Sequence, residues 1–255
     1  MSLRKGWLTV PGALLLVTLF SAPGRANVTP CGTLGEHLDG AATTFQNSIF
    51  GARANIGIEQ PEICGSTSVS VIWSMVAAGS AIQSGTTGWA QAGCGQFGSQ
   101  SGYSQSGYKE FAQFTKWCAS DGTCASGYPV TKFNGQPPAS GNPIASAFQK
   151  ADNAIHMYYD QIQIAVTDFN VASAWNPSWS AQFSAETHHL GSDVPGYSDA
   201  KVHVTNLQKA TDNTSDWANI QSTTSQSPDC RYHYQGVGSG TDFDVWTYPP
   251  YSLTC

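Results

Sequence analysis

Charge is scarce in this 255-residue sequence, and positive charge is scarcer: 11 Lys and Arg stand against 17 Asp and Glu. Three of the cations, Arg4, Lys5 and Arg25, lie in the first 26 residues, which hold no acid. The remainder carries 11 − 3 = 8 cations and 17 anions, a net charge of about −9 with His neutral. Such a balance excludes nucleic acid and anionic membrane as natural partners. A surface built from Ser, Thr, Asn, Gln and Tyr loses little solubility when carboxylates protonate, which suits an acidic exterior. Catalytic signatures are also missing. No G-x-S-x-G elbow, H-E-x-x-H, P-loop or G-x-G-x-x-G occurs, and "GSQSGYSQSG" only imitates a serine elbow. His188-His189 and Cys118/Cys124 do not combine into a four-ligand zinc set. No metal and no cofactor are therefore expected. Long apolar runs are limited to one, "WLTVPGALLLVTLF". It follows the basic "MSLRKG" and precedes the small-residue "SAPGRA", an arrangement that predicts a secretory signal over residues 1–26. The mature protein is expected to be exported, soluble and monomeric.

What is present reads as strand. "TSVSVIWSMVAAG" (67–79) sets Val69, Val71, Trp73 and Met75 on one side at period two. "AIHMYYDQIQIAVTDF" (154–169) does the same with Ile162, Ile164 and Val166, and "AKVHVTNLQ" (200–208) with Val202 and Val204. "CRYHYQGV" and "TDFDVWTYP" complete the series. Short β-branched and aromatic runs punctuated by Gly, Pro, Asn and Ser predict an all-β chain, with helix tenable only at 108–117 and 144–153. Loops are expected at about 96–108, where "QSGYSQSGY" duplicates a five-residue unit, and at 128–146, which is rich in Pro, Gly and Asn. No compositional shift marks a boundary, so residues 27–255 are expected to form one antiparallel two-sheet sandwich. All seven cysteines lie after the signal. In an exported chain they predict disulfides, with Cys118–Cys124 the expected pair across the turn "ASDGT" and Cys94 the odd one, a small core residue.

Two strands carry polar rows. In "WNPSWSAQFSAETHHLGSDVPG" (175–196), Trp179, Ala181, Phe183 and Ala185 share one side; Ser180, Gln182, Ser184, Glu186 and His188 share the other. In "TTGWAQAGCGQ" (86–96), Ala90, Ala92 and Cys94 oppose Trp89, Gln91 and Gly93. A Trp beside a Gln on a non-core face suits a binding surface, because the ring supplies apolar area and the amide supplies donors and an acceptor. If the two rows share a face, Glu186 can act as general base or acid, and the Gln91 amide N–H can stabilise an oxyanion. Trp73, Trp89 and Trp175, with Gln182 and Ser184, would line the groove.

"GWAQAGC" resembles the strand that carries the catalytic Gln of the fungal glutamic peptidases, the eqolisins. "FSAET", followed by "GSDVPGYSDAKVHVTNL", resembles the segment carrying their catalytic Glu, and also the W-G-G-E-V segment of plant neprosin-type glutamic peptidases. The resemblance covers about 66–96 and 175–208. It implies a concanavalin-like, jelly-roll sandwich with Gln91 and Glu186 as a dyad on its concave face, 186 − 91 = 95 residues apart in sequence. A second register lays "AQFSAE" on the family's A-E-W-I-V-E run, which puts Gln182 at the catalytic position and leaves no acid there. Two functions follow: a secreted endopeptidase acting on polypeptides at acid pH, or a non-catalytic secreted module, lectin-like or wall-associated, binding an extracellular glycan.

Overall fold

Short alternating runs become strands along nearly the whole described chain, which comprises residue 31 and residues 34–79, 85–189, 191–196, 200–214, 216–220, 224–225, 232–237 and 242–247 of a computed structural model. The expected signal sequence, Cys230 and Cys255 lie outside the described residues. The strands are β1 (Leu34–Ala42), β2 (Gly51–Ile56), β3 (Val69–Ala78), β4 (Thr86–Phe97), β5 (Gly107–Ala119), β6 (Val130–Phe133), β7 (Ile144–Gln149) and β8 (Ile155–Tyr159). They continue with β9 (Ile162–Val166), β10 (Trp179–His189), β11 (Val202–Ala210), β12 (Trp217–Asn219), β13 (Thr224–Ser225), β14 (Tyr232–Val237) and β15 (Asp242–Thr247). One helical turn, α1 (Val171–Ala174), is capped by the Asn170 side chain, which accepts from the Ser173 N–H.

Two antiparallel sheets result. One runs β13-β1-β10-β3-β4-β5-β6; the other runs β14-β15-β11-β2-β7-β8-β9, with β12 paired to β11. The sheets face each other through β3 and β4 on one side and β2, β7 and β8 on the other. The chain is therefore the expected all-β sandwich. Its core mixes small and large side chains. Ala52, Ala54, Ala90, Ala92, Ala145, Ala147, Ala181 and Ala185 are all buried among Ile56, Ile72, Tyr159, Phe183 and Phe243. Alanines let the sheets approach, and the large residues fill the remaining space to interior density.

Three expectations change. The window 108–117, where helix was tenable, lies in strand β5, and the window 144–153 is strand β7 up to Gln149 followed by a turn. β5 buries residues on both faces, Tyr108, Ala112 and Phe114 toward the core and Phe111 away from it, so its period-two signal is blurred. The run 154–169 is not one strand but the hairpin β8–β9. Asp160 and Gln161 both take positive φ, 45° and 69°, as a two-residue hairpin turn needs. Ile162 ends up 52% exposed at its tip. The loop 128–146 contains β6, which pairs with β5 from Phe111↔Phe133 to Phe114↔Val130.

Cysteine chemistry follows the expectation where it is described. Cys118 and Cys124 form a disulfide, a second joins Cys31 to Cys64, and Cys94 is free and buried. Burial pushes the Cys94 thiol up to about 11, so it stays protonated and inert near neutral pH. The two bridges should differ in value. Cys31–Cys64 spans 33 residues and Cys118–Cys124 only six. Loop-closure entropy then assigns about 4 kcal/mol to the first and about 2 kcal/mol to the second. Urea unfolding of the Cys31→Ser and Cys118→Ser variants checks this order.

Candidate functional site: a groove on the outer face of the seven-stranded sheet

The strand order β10-β3-β4-β5 brings the two polar rows together. Ala181, Phe183 and Ala185 of β10 and Ala90, Ala92 and Cys94 of β4 all lie in the core. Gln182, Glu186 and His188 and Trp89 and Gln91 therefore share the opposite face, where they line one groove of about 340 Å³ with Trp73, Met75, Tyr103, Gln113 and Pro129.

The floor of that face is apolar. Val69, Val71, Trp73, Phe97 and Phe111 form a second buried cluster, against which Met75, Tyr103 and Phe133 pack. The alternating large residues of β3 thus point away from the main core, which receives Ile72, Val76 and Ala78 instead. Glycine makes this possible. Gly93 lies opposite Trp73 in the β3–β4 ladder, and a Cβ there would meet the Ile72 carbonyl oxygen at 1.9 Å. Gly95 similarly leaves room for Val71, whose Cγ1 would lie 2.5 Å from an added Cβ.

Register sets the spacing within the groove. Gln91 pairs with Gln113 on one side and with Met75 on the other, and Met75 pairs with Gln182. A row Thr131–Gln113–Gln91–Met75–Gln182 therefore crosses five strands. The amides are oriented in a ladder: Gln91 Nε2 donates to Gln113 Oε1 at 3.0 Å, and Gln113 Nε2 donates to Thr131 Oγ1 at 3.0 Å. Gln182, at the far end, donates to Ser180 Oγ at 2.8 Å.

Glu186 sits in a different row, level with Val71 and Gly95. It is only 9% exposed. Trp73 Nε1 donates to its Oε2 at 2.8 Å, and His188 Nε2 lies 3.1 Å from its Oε1. Strand and residue spacings put the Gln91 and Glu186 Cα atoms about 16 Å apart, against about 10 Å for Gln91 and Gln182. The Trp73 row lies between Gln91 and Glu186.

The other expected groove residues divide. Trp73 and Trp89 line it as expected. Trp175 does not: it is 2% exposed in the main core, its ring packs against Trp179 and Phe169, and its indole N–H donates to the Lys116 carbonyl. The indole fits over Gly88, whose added Cβ would fall 1.9 Å from Trp175 Nε1. A tryptophan just before a strand carries no face of its own, and this one turns inward with α1. Ser184 shares the parity of Gln182 and Glu186 but is fully buried opposite Trp73, with its hydroxyl donating to the Ala185 carbonyl. Gln113, Tyr103 and His188 complete the groove without having been singled out as binding residues. Gln113 had one available signal, its alternation with Ala112 and Phe114, which face the core along β5.

Neither a protein-family model nor a curated protein sequence matches this chain. Solved structures do. Scytalido-glutamic peptidase, in complex with a peptide-based transition-state analogue, superposes with a TM-score of 0.54 at 11% identity over 85% of this chain and 100% of that one. SCP-B, a member of the eqolisin family of peptidases in complex with the tripeptide Ala-Ile-His, gives 0.52 at 10% identity over 84% and 100%. The chain thus has a fold similar to that of the glutamic peptidases.

Proposed function

We propose that this protein acts outside the cell and holds an extended polypeptide in the groove without cutting it. Register carries the reading. The position in line with Gln91 across Met75 is Gln182, an amide that cannot take a proton from water. The carboxylate of the groove, Glu186, lies rows away and is engaged by Trp73 and His188. Hydrolysis of an amide asks a base and an oxyanion donor to bracket one carbonyl, within about 6 Å of each other or two hydrogen-bond lengths. Amides spaced along the strands suit peptide N–H and C=O groups, and Trp73, Trp89 and Met75 offer apolar contact to side chains. The peptide ligands of the two structural neighbours support a polypeptide over a glycan as the occupant. Two disulfides fit an oxidising compartment.

One observation favours a second reading, an endopeptidase acting at acid pH. Glu186 and His188 form a hydrogen-bonded pair at 3.1 Å facing the groove, an arrangement able to activate water, with Gln91 as the oxyanion donor. One experiment separates the two. The mature chain is titrated with reduced, carboxymethylated casein, and cleavage of that casein is followed from pH 2 to 7. Saturable binding that weakens at least tenfold in Trp89→Ala, with no cleavage, is the expected result. Cleavage at acid pH that falls by about 10²- to 10⁴-fold in Glu186→Gln would establish the peptidase instead. Binding of a neutral β-glucan, abolished by Trp89→Ala and without affinity for casein, would make the groove a lectin site.

A further inference from the structure

The eight-stranded sheet has its own site on the face turned away from the core. Alternation along β2, β7 and β8 buries Ala52, Ala54, Ala145, Ala147, Ile155, Met157 and Tyr159. Arg53, Phe148 and Tyr158 consequently point outward. Phe148 and Tyr158 stack with centroids 5.6 Å apart and planes inclined by 19°, and Trp217 of β12 meets Phe148 edge-on at 5.3 Å. Gly51 lies directly opposite Phe148 in the β2–β7 ladder, and a Cβ there would come within 2.3 Å of the Phe148 Cβ. The missing side chain is what admits the ring.

Two cations flank this aromatic platform. The Arg53 guanidinium lies 4.4 Å from the centre of the Trp217 ring, and Lys150 Nζ lies 4.9 Å from that of Tyr158. Their polar contacts are neutral: Arg53 Nε donates to Gln208 Oε1 at 2.5 Å, and Lys150 Nζ donates to the Tyr158 hydroxyl at 2.5 Å. Neither pairs with a carboxylate among the described residues. Both border one cavity of about 360 Å³ that no acid among the described residues lines; Ser146 and Gln161 add a hydroxyl and an amide. Placing two unpaired cations together is conspicuous in a chain with 8 cations and 17 anions after residue 26. Burial without a counter-charge also lowers the pKa of Arg53 from its ordinary value, a cost that a bound anion would relieve.

We propose that this platform is a second binding site, for the uronate residues of an acidic polysaccharide. The requirements are a flat face with polarised C–H groups to pack against the parts of Phe148, Tyr158 and Trp217 that border the cavity, and a carboxylate within reach of Arg53 and Lys150. A uronate pyranose has both, together with hydroxyls for Ser146 and Gln161. An acidic peptide supplies the carboxylate but not the face, and a neutral sugar supplies the face but not the charge. The site lies across the sandwich from the groove, so a wall polymer held here would leave the groove open.

Calorimetric titration tests the proposal, using oligogalacturonate, a neutral β-glucan oligomer and polyglutamate of matched length at low and moderate salt. Oligogalacturonate should bind with the other two at least tenfold weaker. Trp217→Ala should reduce that affinity at least tenfold. Arg53→Gln combined with Lys150→Gln should reduce it similarly and remove most of its salt dependence. Casein binding in the groove should not change in either variant, which also shows that they are folded. Equal affinity for polyglutamate would overturn the proposal in favour of an acidic peptide. Equal affinity for the neutral glucan, or no binding of oligogalacturonate, would overturn it outright.

Discussion

Replacing Gly93 with alanine should destabilise the protein by at least about 3 kcal/mol, at the upper end of overpacking costs, or prevent its recovery in folded form. The added methyl group would lie 1.9 Å from the Ile72 carbonyl oxygen and 2.8 Å from the Trp73 Cα, both backbone atoms of the neighbouring strand. No rotamer change relieves a contact with backbone, so β3 and β4 would have to separate at the centre of their ladder. Gly135→Ala is the control. Nothing lies within 4 Å of a Cβ there, and its effect should stay within about 0.5 kcal/mol. Chemical denaturation of the two variants side by side checks the contrast. Equal stability would mean that the strands pair with a different register at Gly93.

Trp73 should show the next largest effect, and its two substitutions should separate two roles. Trp73→Ala removes a 3%-exposed ring from the centre of the outer-face cluster and is expected to cost about 3–5 kcal/mol. Trp73→Phe keeps most of the apolar volume but deletes the indole N–H that donates to Glu186 Oε2 at 2.8 Å. Leaving a buried carboxylate without that donor costs about 1–3 kcal/mol. A Trp73→Phe, Glu186→Gln double variant should recover part of this loss, because a neutral amide is cheaper to leave unpaired than a charge. The measurement is a double-mutant cycle in urea. Strict additivity of the two substitutions would show that the bond contributes nothing to stability.

Much of the groove was legible in linear pattern. Period two assigned Ala90, Ala92 and Cys94 to one side of β4 and Gln91 to the other, and it divided β10 the same way between Phe183 and Glu186. It worked there because small or apolar residues line one side of each strand without interruption. It worked less well on β3 and β5, where both faces are covered. There Val69, Val71, Trp73 and Phe111 fill a second apolar layer, and their alternation does not say which layer is the core. Trp175 misled for a different reason: it precedes β10 and follows the single turn α1, so no strand period governs its direction.

Composition and periodicity by themselves determined that this chain is all-β, that Cys118 and Cys124, six residues apart in sequence, could join across a tight turn, and that Gln91 and Glu186 leave the core sides of their strands. Tertiary structure decided the rest. It placed β3 between β4 and β10, and so put both side chains on one face while setting them in different rows. It also gathered Arg53, Phe148, Lys150, Tyr158 and Trp217 from four strands and a strand end onto the opposite sheet. The physical reason is that alternation is a property of a single strand, fixed by backbone geometry. Register is a property of two strands, and β3 and β10 meet only when segments more than 100 residues apart bury their common apolar face: Trp73 and Ser184, paired in that ladder, are 184 − 73 = 111 residues apart.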